Sequence, residues 1–542
     1  MAAWLESAQT LVPTLNTRSV VSIARVVLEK DSHEPLGWRY DHIAGDPSSS
    51  DILSPRSSII WDFGDHYVGH FSVTVHGIPR PKPPGDIHGS HVDAPARLRI
   101  TFGEVARDVA EDFHPYTGWL SESWLPQEIV NVDFMPYRLE IPRRHAFRFV
   151  RIDVVATSDN FNVKFENVRA DVVTSANLEL LPPPLTRDTF RSFSEELTHE
   201  EMDILVAVDK VSIRTLTECM QTVFEDGPRR DRRLWLGDLR VQALTYFSLG
   251  LADTSLIKRC ILLHAALPYD DTGRVAACIF EHPMPHAGNN FIVDYSLLFG
   301  VTLLEYVQAT GDDALGRDLF ALALKQLELA FAYVDRDCLF SIPDGVWLFI
   351  DWVDGLDKQA SMQGVVILAC KALSALADRL GLSSQAFVPH NNGTLSLSAA
   401  IDLMTEAAYR SLWDPVRSIF VSGPDRQVSW ASQAWLILAD ACPDPQACMK
   451  AISVTNGAVA PKTPYGHHYV VDAYLHAGLK VDALRYIARY WGSMITAGAD
   501  TFFEAWDPSD PQFSPYGDAH VNSYCHGWSC TPAYFLRSRL KE

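Results

Sequence analysis

Leu180-Leu181-Pro182-Pro183-Pro184-Leu185 separates two stretches of chain with different hydrophobic periods. Three consecutive prolines stop any regular element and make a stiff spacer. Before them, β-branched and aromatic residues recur in short alternating runs. Such runs cover Ser57–Phe63, His70–His76, Ala96–Phe102 and Phe147–Ala156, mostly bounded by Gly, Pro, Asp or Ser. Regularly spaced short strands of this kind predict a β-sandwich over residues 1–185, with the proline-rich stretch Pro79–Gly85 as a loop between strands. After the prolines the apolar period changes from about two to about 3.6. Thr198-His-Glu-Glu201 has the form of a helix-opening capping box, and helical pattern runs over 198–223. It continues over 238–265, 291–310, 313–334, 360–382, 396–412, 430–441, 444–453, 468–478, 480–497 and 521–538. These eleven candidates come close to the 12 helices of a double-layered (α/α)6 barrel, expected over residues 186–542.

Composition narrows the function. The chain of 542 residues is too long for one compact core and suits at least two domains. Lys and Arg number 46 against 67 Asp and Glu, a formal charge of −21. A field of that sign repels phosphate backbones and anionic membrane surfaces, so neither nucleic acid nor membrane is an expected partner. The N-terminus, Met1-Ala-Ala-Trp-Leu-Glu, has no basic region before a long apolar run, and no stretch of about 18 uninterrupted apolar residues occurs. The nine cysteines are odd in number, scattered, and absent from the first 218 residues. A reduced, cytoplasmic chain is the expectation. No HExxH, Walker, dinucleotide-binding or nucleophile-elbow pattern is present, and His467-His468 lacks carboxylates at ligand spacing, so no cofactor or metal is expected.

Three segments carry candidate chemistry. Asp226-Gly-Pro-Arg-Arg-Asp-Arg-Arg-Leu-Trp-Leu-Gly-Asp238 packs three carboxylates, four arginines and an indole into 13 residues between two helices. Carboxylates at that density repel unless arginines or a ligand organise them. Sugars are bound by such sets, with carboxylates accepting hydroxyl hydrogens and an indole covering the apolar ring face. A surface loop of salt bridges is the plain alternative. In Thr501-Phe-Phe-Glu-Ala-Trp-Asp507 the aromatics around Glu504 suit general acid–base work, although a half-buried Glu paired with an Arg reads the same way. In Asn522-Ser-Tyr-Cys-His-Gly-Trp-Ser529, His526 could donate to a substrate hydroxyl. Further acids and aromatics lie on loops, among them Glu281, His286, Asp294, Asp344, Trp347, Asp351, Trp352 and Asp354, with Trp352 a candidate sugar platform. Trp430 and Trp435 fall in helical pattern and are expected in the core.

These segments resemble glycoside hydrolase family 78, the α-L-rhamnosidases. Trp61-Asp-Phe-Gly64, Val68-Gly69, Thr101-Phe-Gly-Glu104 and Phe147–Ile152 look like the family's β-domain phrases. Asp226, Arg230, Asp231, Trp235 and Asp238 follow its Asp-x-x-x-Arg-Glu-x-x-x-Trp-x-Gly-Asp loop in order and spacing. Glu504-Ala-Trp506 is similar to its late Trp-Glu-x-Trp motif, and Asn522–Trp528 to its closing His-containing motif. The resemblance implies an (α/α)6 barrel with an accessory β-sandwich and hydrolysis with inversion. It implies Asp231 as general acid and Glu504 as general base. Asp226 and Asp238 would bind hydroxyls, Arg230 would bind sugar and organise the carboxylates, Trp235 would be part of the wall, and Trp352 and His526 would contact sugar. Two departures stand out. The family's acid is Glu where this chain has Asp231, one methylene shorter, and a misplacement of about 1 Å can cost about a hundredfold in rate. The sequence also runs out at Glu542, just after the last expected barrel helix, without the family's usual C-terminal β-sandwich.

The implied reaction is release of a terminal α-L-rhamnose, or a similar sugar, from a small glycoside or oligosaccharide, by a protein that could be a homo-oligomer. Two other readings fit the same residues. One is a divergent enzyme on this scaffold acting on a uronic-acid sugar or a natural-product intermediate, which would need at least one of the arginines at 229, 230, 232 and 233 in the pocket. The other is a sugar-binding protein without turnover.

Overall fold

The computed structural model describes residues 1–81, 96–342 and 344–541; of the Pro79–Gly85 loop, residues 82–85 lie outside the described residues. The strands β1 (Asn16–Val21), β2 (Ala24–Lys30), β3 (Trp38–Ile43), β4 (Ser58–Pro79), β5 (Ala96–Gly103), β6 (Gln127–Val132), β7 (Tyr137–Glu140), β8 (His145–Thr157) and β9 (Phe161–Thr174) form one nine-stranded sheet. Its main order is β1-β9-β4-β8-β5-β6, with β2, β3 and β7 paired off this path, and every pairing is antiparallel. The runs at Ser57–Phe63 and His70–His76, expected as separate short strands, are one 22-residue strand, β4. A register shift between Asp62 and Tyr67 marks an irregularity in β4 where it pairs with β8. Gly64 supplies the left-handed residue there, and its N–H donates to Asp62 Oδ1 at 2.7 Å. Inward residues of β4, β5 and β8, among them Trp61, Phe71, Ile100, Phe102, Phe147 and Ile152, make a separate apolar core.

Two helices lie in this N-terminal part, α1 (Ala2–Thr10) and α2 (Ala106–Ala110). Twelve more follow the proline spacer among the described residues. They are α3 (His199–Cys219), α4 (Leu236–Ser248), α5 (Ser255–Ala266), α6 (Val293–Thr310), α7 (Asp313–Ala330), α8 (Gln359–Leu380), α9 (Leu397–Leu412), α10 (Trp430–Leu438), α11 (Pro445–Ser453), α12 (Pro464–His476), α13 (Lys480–Thr496) and α14 (Pro532–Arg537). The capping box at Thr198 forms: Glu201 N–H donates to Thr198 Oγ1 at 3.1 Å, and Thr198 N–H donates to Glu201 Oε2 at 2.7 Å. The packing alternates along the chain. Helix α4 packs on α6, α6 on α8, α8 on α10 and α10 on α12, while α14 packs on both α3 and α4. Helix α8 is long and apolar enough by composition to cross a membrane, but 78% of its apolar window is buried against the other helices. Trp435 is buried in this core, and Trp430 is packed against it.

Three expectations are corrected. The span 238–265 is two helices, because Gly250 adopts a left-handed φ of 69° and ends α4, while Asp253 Oδ1 accepts the Ser255 N–H at the start of α5. Most of 521–538 is not α-helical and only Pro532–Arg537 is, because the backbone of 523–526 is already bonded to residues 501–504. Residues 2–10, grouped in the sequence with the β-rich part, form a helix that packs on α5, where Arg259 donates to the Ala8 carbonyl at 3.1 Å.

The last helix is pinned to the first of the helical series. Arg537 Nε and Nη2 each lie 2.6 Å from an oxygen of the fully buried Asp209 on α3, and Nη2 also donates to the Pro183 carbonyl at 3.1 Å. Removing one partner of such a pair strands a buried charge. Asp209→Ala is expected to destabilise the protein by about 3–5 kcal/mol, measured by denaturant unfolding, with the conservative Asp209→Asn recovering part of the loss.

Candidate active site

The loop between α3 and α4 is closed on itself before it meets anything else. Asp226 N–H donates to the Arg233 carbonyl and Arg233 N–H donates to Asp226 Oδ1, both at 2.9 Å. Within the loop Asp231 and Arg232 take successive left-handed φ values of 58° and 55°. Each non-glycine residue there costs on the order of 1 kcal/mol or more, a strain that persists only where surroundings enforce it. Behind the loop runs the segment 523–526. Gly527 N–H donates to the Asp226 carbonyl at 2.6 Å, and at Gly227 a Cβ would sit 3.2 Å from the Cys525 carbonyl oxygen. That segment in turn pairs with 501–504, through Glu504 N–H to Ser523 O at 3.0 Å and His526 N–H to Phe502 O at 2.9 Å. Three segments distant in sequence therefore converge on one pocket.

The pocket contains about 370 Å³ of atom-free space, part of it open to solvent. Asp226, Asp231, Asp238, Glu504 and His526 supply its polar wall. Trp235, Trp352, Trp347, Tyr295, Phe349 and Trp528 supply rings, and Tyr516 closes one side. Seven of the eight residues singled out in the sequence line this space; the eighth, Arg230, stands behind it. Its Nη2 pairs closely with Glu504 Oε2, its Nη1 is 3.8 Å from Asp231 Oδ1, and its Nε donates to the Val521 carbonyl at 2.9 Å. One guanidinium thus stands between two carboxylates. The Tyr516 hydroxyl donates to the other Glu504 oxygen, and the guanidinium carbon lies 4.2 Å from the Tyr516 ring centre.

Arg229 braces this arrangement from the β-rich part of the chain. It donates to Asp108 at 2.6 and 3.2 Å and to the His520 carbonyl at 2.8 Å, and lies 3.4 Å from Glu104. Arg232 donates to the Pro228 and Arg144 carbonyls at 2.9 and 2.6 Å, and Arg233 lies 3.6 Å from Asp231. Arg229, Arg230 and Arg232 are committed to protein partners, whereas Arg233 has only the 3.6 Å approach to Asp231 and leaves its Nε without a hydrogen-bond partner.

The electrostatics are those of groups waiting for a partner. Burial, reinforced by Asp231 and Asp238, pushes the Asp226 carboxyl well above its ordinary range. Burial and then Glu504 do the same to Asp238. Burial, with Arg230 nearby, holds His526 well below the usual imidazole value, so it is neutral. His526 Nδ1 sits 3.5 Å from Asp238 Oδ1 without hydrogen-bond alignment, and Asp238 Oδ1, His526 Nδ1 and Trp352 Nε1 are all buried with no hydrogen-bond partner. Unpaired buried acceptors and donors facing one cavity are what a polyhydroxylated ligand satisfies. Among the described residues no group of three or more His, Cys, Asp or Glu is arranged for a metal ion. A groove beside β1 and β9 contains about 840 Å³ of atom-free space, more than the pocket, but its charged lining is only Arg18, Glu179 and Glu218.

Comparisons with known proteins give the family. Residues 22–172 match the model of the glycosyl hydrolase family 78 alpha-rhamnosidase N-terminal domain. Over the whole chain, a rhamnosidase from Klebsiella oxytoca with rhamnose bound is 38% identical, with a TM-score of 0.88, covering 99% of this chain and 98% of that one. The chain belongs to glycoside hydrolase family 78. As a family 78 member it is a glycoside hydrolase. Two further rhamnosidase structures share the fold at low identity. That of Bacillus sp. GL1 is 19% identical with a TM-score of 0.69, covering 89% of this chain and 46% of that one. That of Streptomyces avermitilis, complexed with L-rhamnose, is 14% identical with a TM-score of 0.65, covering 97% and 44%. A search of curated proteins found no match.

Several weaker sequence candidates turn out to serve the frame of the family 78 pocket. Asp294 accepts the Phe349 and Ile350 N–H groups at 2.9 and 3.1 Å, and Asp351 accepts those of Trp352 and Lys462 at 2.6 and 3.1 Å, so both shape the loop that carries Trp347, Phe349 and Trp352. Glu281 does not line the pocket; it is consumed by Arg259 and Thr222. His286 is exposed and stacks on Phe280, and Asp344 is exposed as well. Sequence reasoning missed Tyr516, which lies in an irregular Asp-, Pro- and Gly-rich stretch with no periodic signal, and Tyr295, whose place on α6 reads as ordinary core.

Asp238 offers a test that separates function from structure. Its folded pKa is raised, so the fold is penalised as pH climbs through the unfolded carboxyl value of about 4, and the penalty grows toward neutrality. Asp238→Asn is expected to melt higher than the parent at pH 7, with the advantage shrinking toward pH 4, while turnover falls roughly 10- to 100-fold. A variant that melts lower at pH 7 would mean that the carboxylate is structural.

Proposed function

We propose that this chain is an inverting exo-glycosidase that releases a terminal α-L-rhamnose, or a similar sugar, from a small glycoside or oligosaccharide. The observation that carries this reading is the Arg230 guanidinium standing between Glu504 and Asp231 at the wall of the acid–aromatic pocket. Inverting glycosidases need two carboxyl groups about 6.5–9.5 Å apart, with a water between one of them and the sugar. A cation interposed between the pair keeps them from direct contact, in line with that spacing. The rhamnose bound to the Klebsiella oxytoca relative supports the choice of sugar.

In the proposed reaction Asp231 gives its proton to the glycosidic oxygen as the bond from that oxygen to the anomeric carbon breaks. Glu504 takes a proton from the water whose oxygen attacks the opposite face. The products are the sugar with inverted anomeric configuration and the leaving group as an alcohol, and proton exchange with solvent resets both carboxyls. Asp226 and Asp238 accept sugar hydroxyls, the neutral His526 donates to one, and Arg230 fixes Glu504. Trp235 and Trp352 cover the apolar ring face. The left-handed turn at Asp231 and Arg232 fixes where the Asp231 Cα stands, and the reach of the shorter acid depends on that position.

The same proposal covers architecture and location. The nine-stranded sheet, with its enclosed aromatic core, is read as a β-sandwich over residues 1–185. The alternating contacts of α4, α6, α8, α10 and α12, with α14 meeting α3 and α4, support an (α/α)6 barrel over 186–542. Nine unpaired, buried cysteines support a reducing, cytoplasmic setting.

The deciding experiment is hydrolysis of an aryl α-L-rhamnopyranoside followed by proton NMR from the first turnovers. The β-anomer of rhamnose is expected first, and Glu504→Gln should lower the rate by about 10²–10⁴-fold. Release of the α-anomer would overturn inversion, and absence of release would overturn the substrate. Asp231→Asn should lose most on leaving groups that need protonation and little on a 2,4-dinitrophenyl rhamnoside. An equal loss on both would remove Asp231 from the acid role.

A further inference from the structure

On the exo-rhamnosidase reading the pocket takes the terminal rhamnose ring, so the group on the other side of the scissile bond lies outside it, next to the acid that protonates it. Asp231 is the outermost pocket carboxylate: its side chain is 18% exposed, against 5% for Glu504 and Asp226 and 2% for Asp238. The segment between α2 and β6, in the β-rich part of the chain, reaches two residues next to the pocket wall, Arg233 and Tyr516. Arg233, 3.6 Å from Asp231, lies over the ring of Phe280 at 4.3 Å and over that of Trp124 at 5.9 Å. The same segment carries Trp119 to the Tyr516 side. The Trp119 N–H donates to the Tyr516 carbonyl at 3.0 Å, its indole Nε1 donates to the Pro515 carbonyl at 3.1 Å, and the two rings are 5.6 Å apart. Two residues earlier, Thr117 donates through both its N–H and its hydroxyl to Asp518 Oδ2, at 3.0 and 3.1 Å.

A scattered exposed apolar side chain is ordinary and needs no explanation. Trp119 differs, because it is tethered through its backbone and its indole nitrogen and yet leaves 66% of its surface in water. A flat apolar plate held still beside the pocket wall has little conformational entropy left to lose when something stacks on it. The rings continue inward from it, through Tyr516 to Trp352 at 6.1 Å.

We infer that Trp119, with Trp124 beside Arg233, forms the subsite for the leaving group, and that it takes a flat group with one apolar face, either an aryl ring or a pyranose. The inference rests on the rhamnosidase reading above. It makes the N-terminal sheet region a determinant of which glycosides are accepted, whereas the sugar ring itself is held largely by the helical part.

The test compares Trp119→Ala, Trp119→Phe and the parent on three substrates: a 4-methylumbelliferyl α-L-rhamnoside, a rhamnosyl-glucose disaccharide, and α-L-rhamnopyranosyl fluoride, whose leaving group is too small to reach the plate. Trp119→Ala is expected to raise KM about tenfold on one or both of the large substrates, leaving kcat/KM on the fluoride within about twofold, and Trp119→Phe should recover part of the loss. Loss on the aryl substrate alone would assign an aromatic leaving group, and loss on the disaccharide alone a sugar. No change on either, or an equal loss on all three, would overturn the subsite. A parent protein that cleaves none of the three would overturn the rhamnosidase reading and the subsite with it.

Discussion

Two adjacent arginines, pointing in opposite directions from one loop, hold the site together. Arg229 turns toward the β-rich part of the chain and is sealed against Asp108 and Glu104; Arg230 turns toward the pocket and is sealed against Glu504. Taking such charges out of water costs several kcal/mol per ion, recovered only when geometry is good and remaining hydrogen bonds are filled. On the carboxylate side they are filled: Glu104 also accepts from His66 and from the Tyr524 N–H, and Asp108 accepts the Glu104 N–H, while the buried Arg229 Nε has no hydrogen-bond partner. Because the two guanidiniums are neighbours in sequence, a displacement on the sheet side would be felt at Glu504 one residue further on. The β-rich region is therefore part of the site's rigidity, beyond any role in folding.

The pocket itself goes against stability. Asp226 and Asp238 are buried with carboxyls displaced upward, and His526 is buried and kept neutral beside them. A protein selected only for stability would replace unpaired acceptors such as Asp238 Oδ1 with apolar atoms. The surrounding frame offsets this. Asp294 and Asp351 fix the aromatic loop, the Tyr465, Trp528 and Phe349 rings pack together, and the Arg537–Asp209 pair ties α14 to α3 and to the proline spacer.

Much of this was legible in the sequence, for identifiable reasons. The Asp226–Asp238 loop declared itself because charges at that density need organising wherever they are. Helices such as α3, α6 and α8 declared themselves because apolar faces repeat along them. The failures have equally local causes. The break at Gly250 is hidden by an apolar pattern of the same period on both sides, and the helical pattern over 521–538 overstates α14 because residues 522–531 are buried against the 501–504 segment without being helical. Tyr516 gave no signal at all, since nothing in an irregular loop says which ring will meet a carboxylate.

Residue type and spacing alone determined that there would be a β-rich part and a helical part on either side of the prolines, and that acids and aromatics would be concentrated in a few loops, because those properties are set by neighbours in the chain. Only the tertiary structure decided which loops share a pocket, that Arg230 stands between Glu504 and Asp231, that Glu281 is spent on Arg259, and that Trp119 is held beside Tyr516. Those contacts join residues up to about 400 positions apart. Their energies depend on distance and burial, quantities that do not exist until the chain has folded.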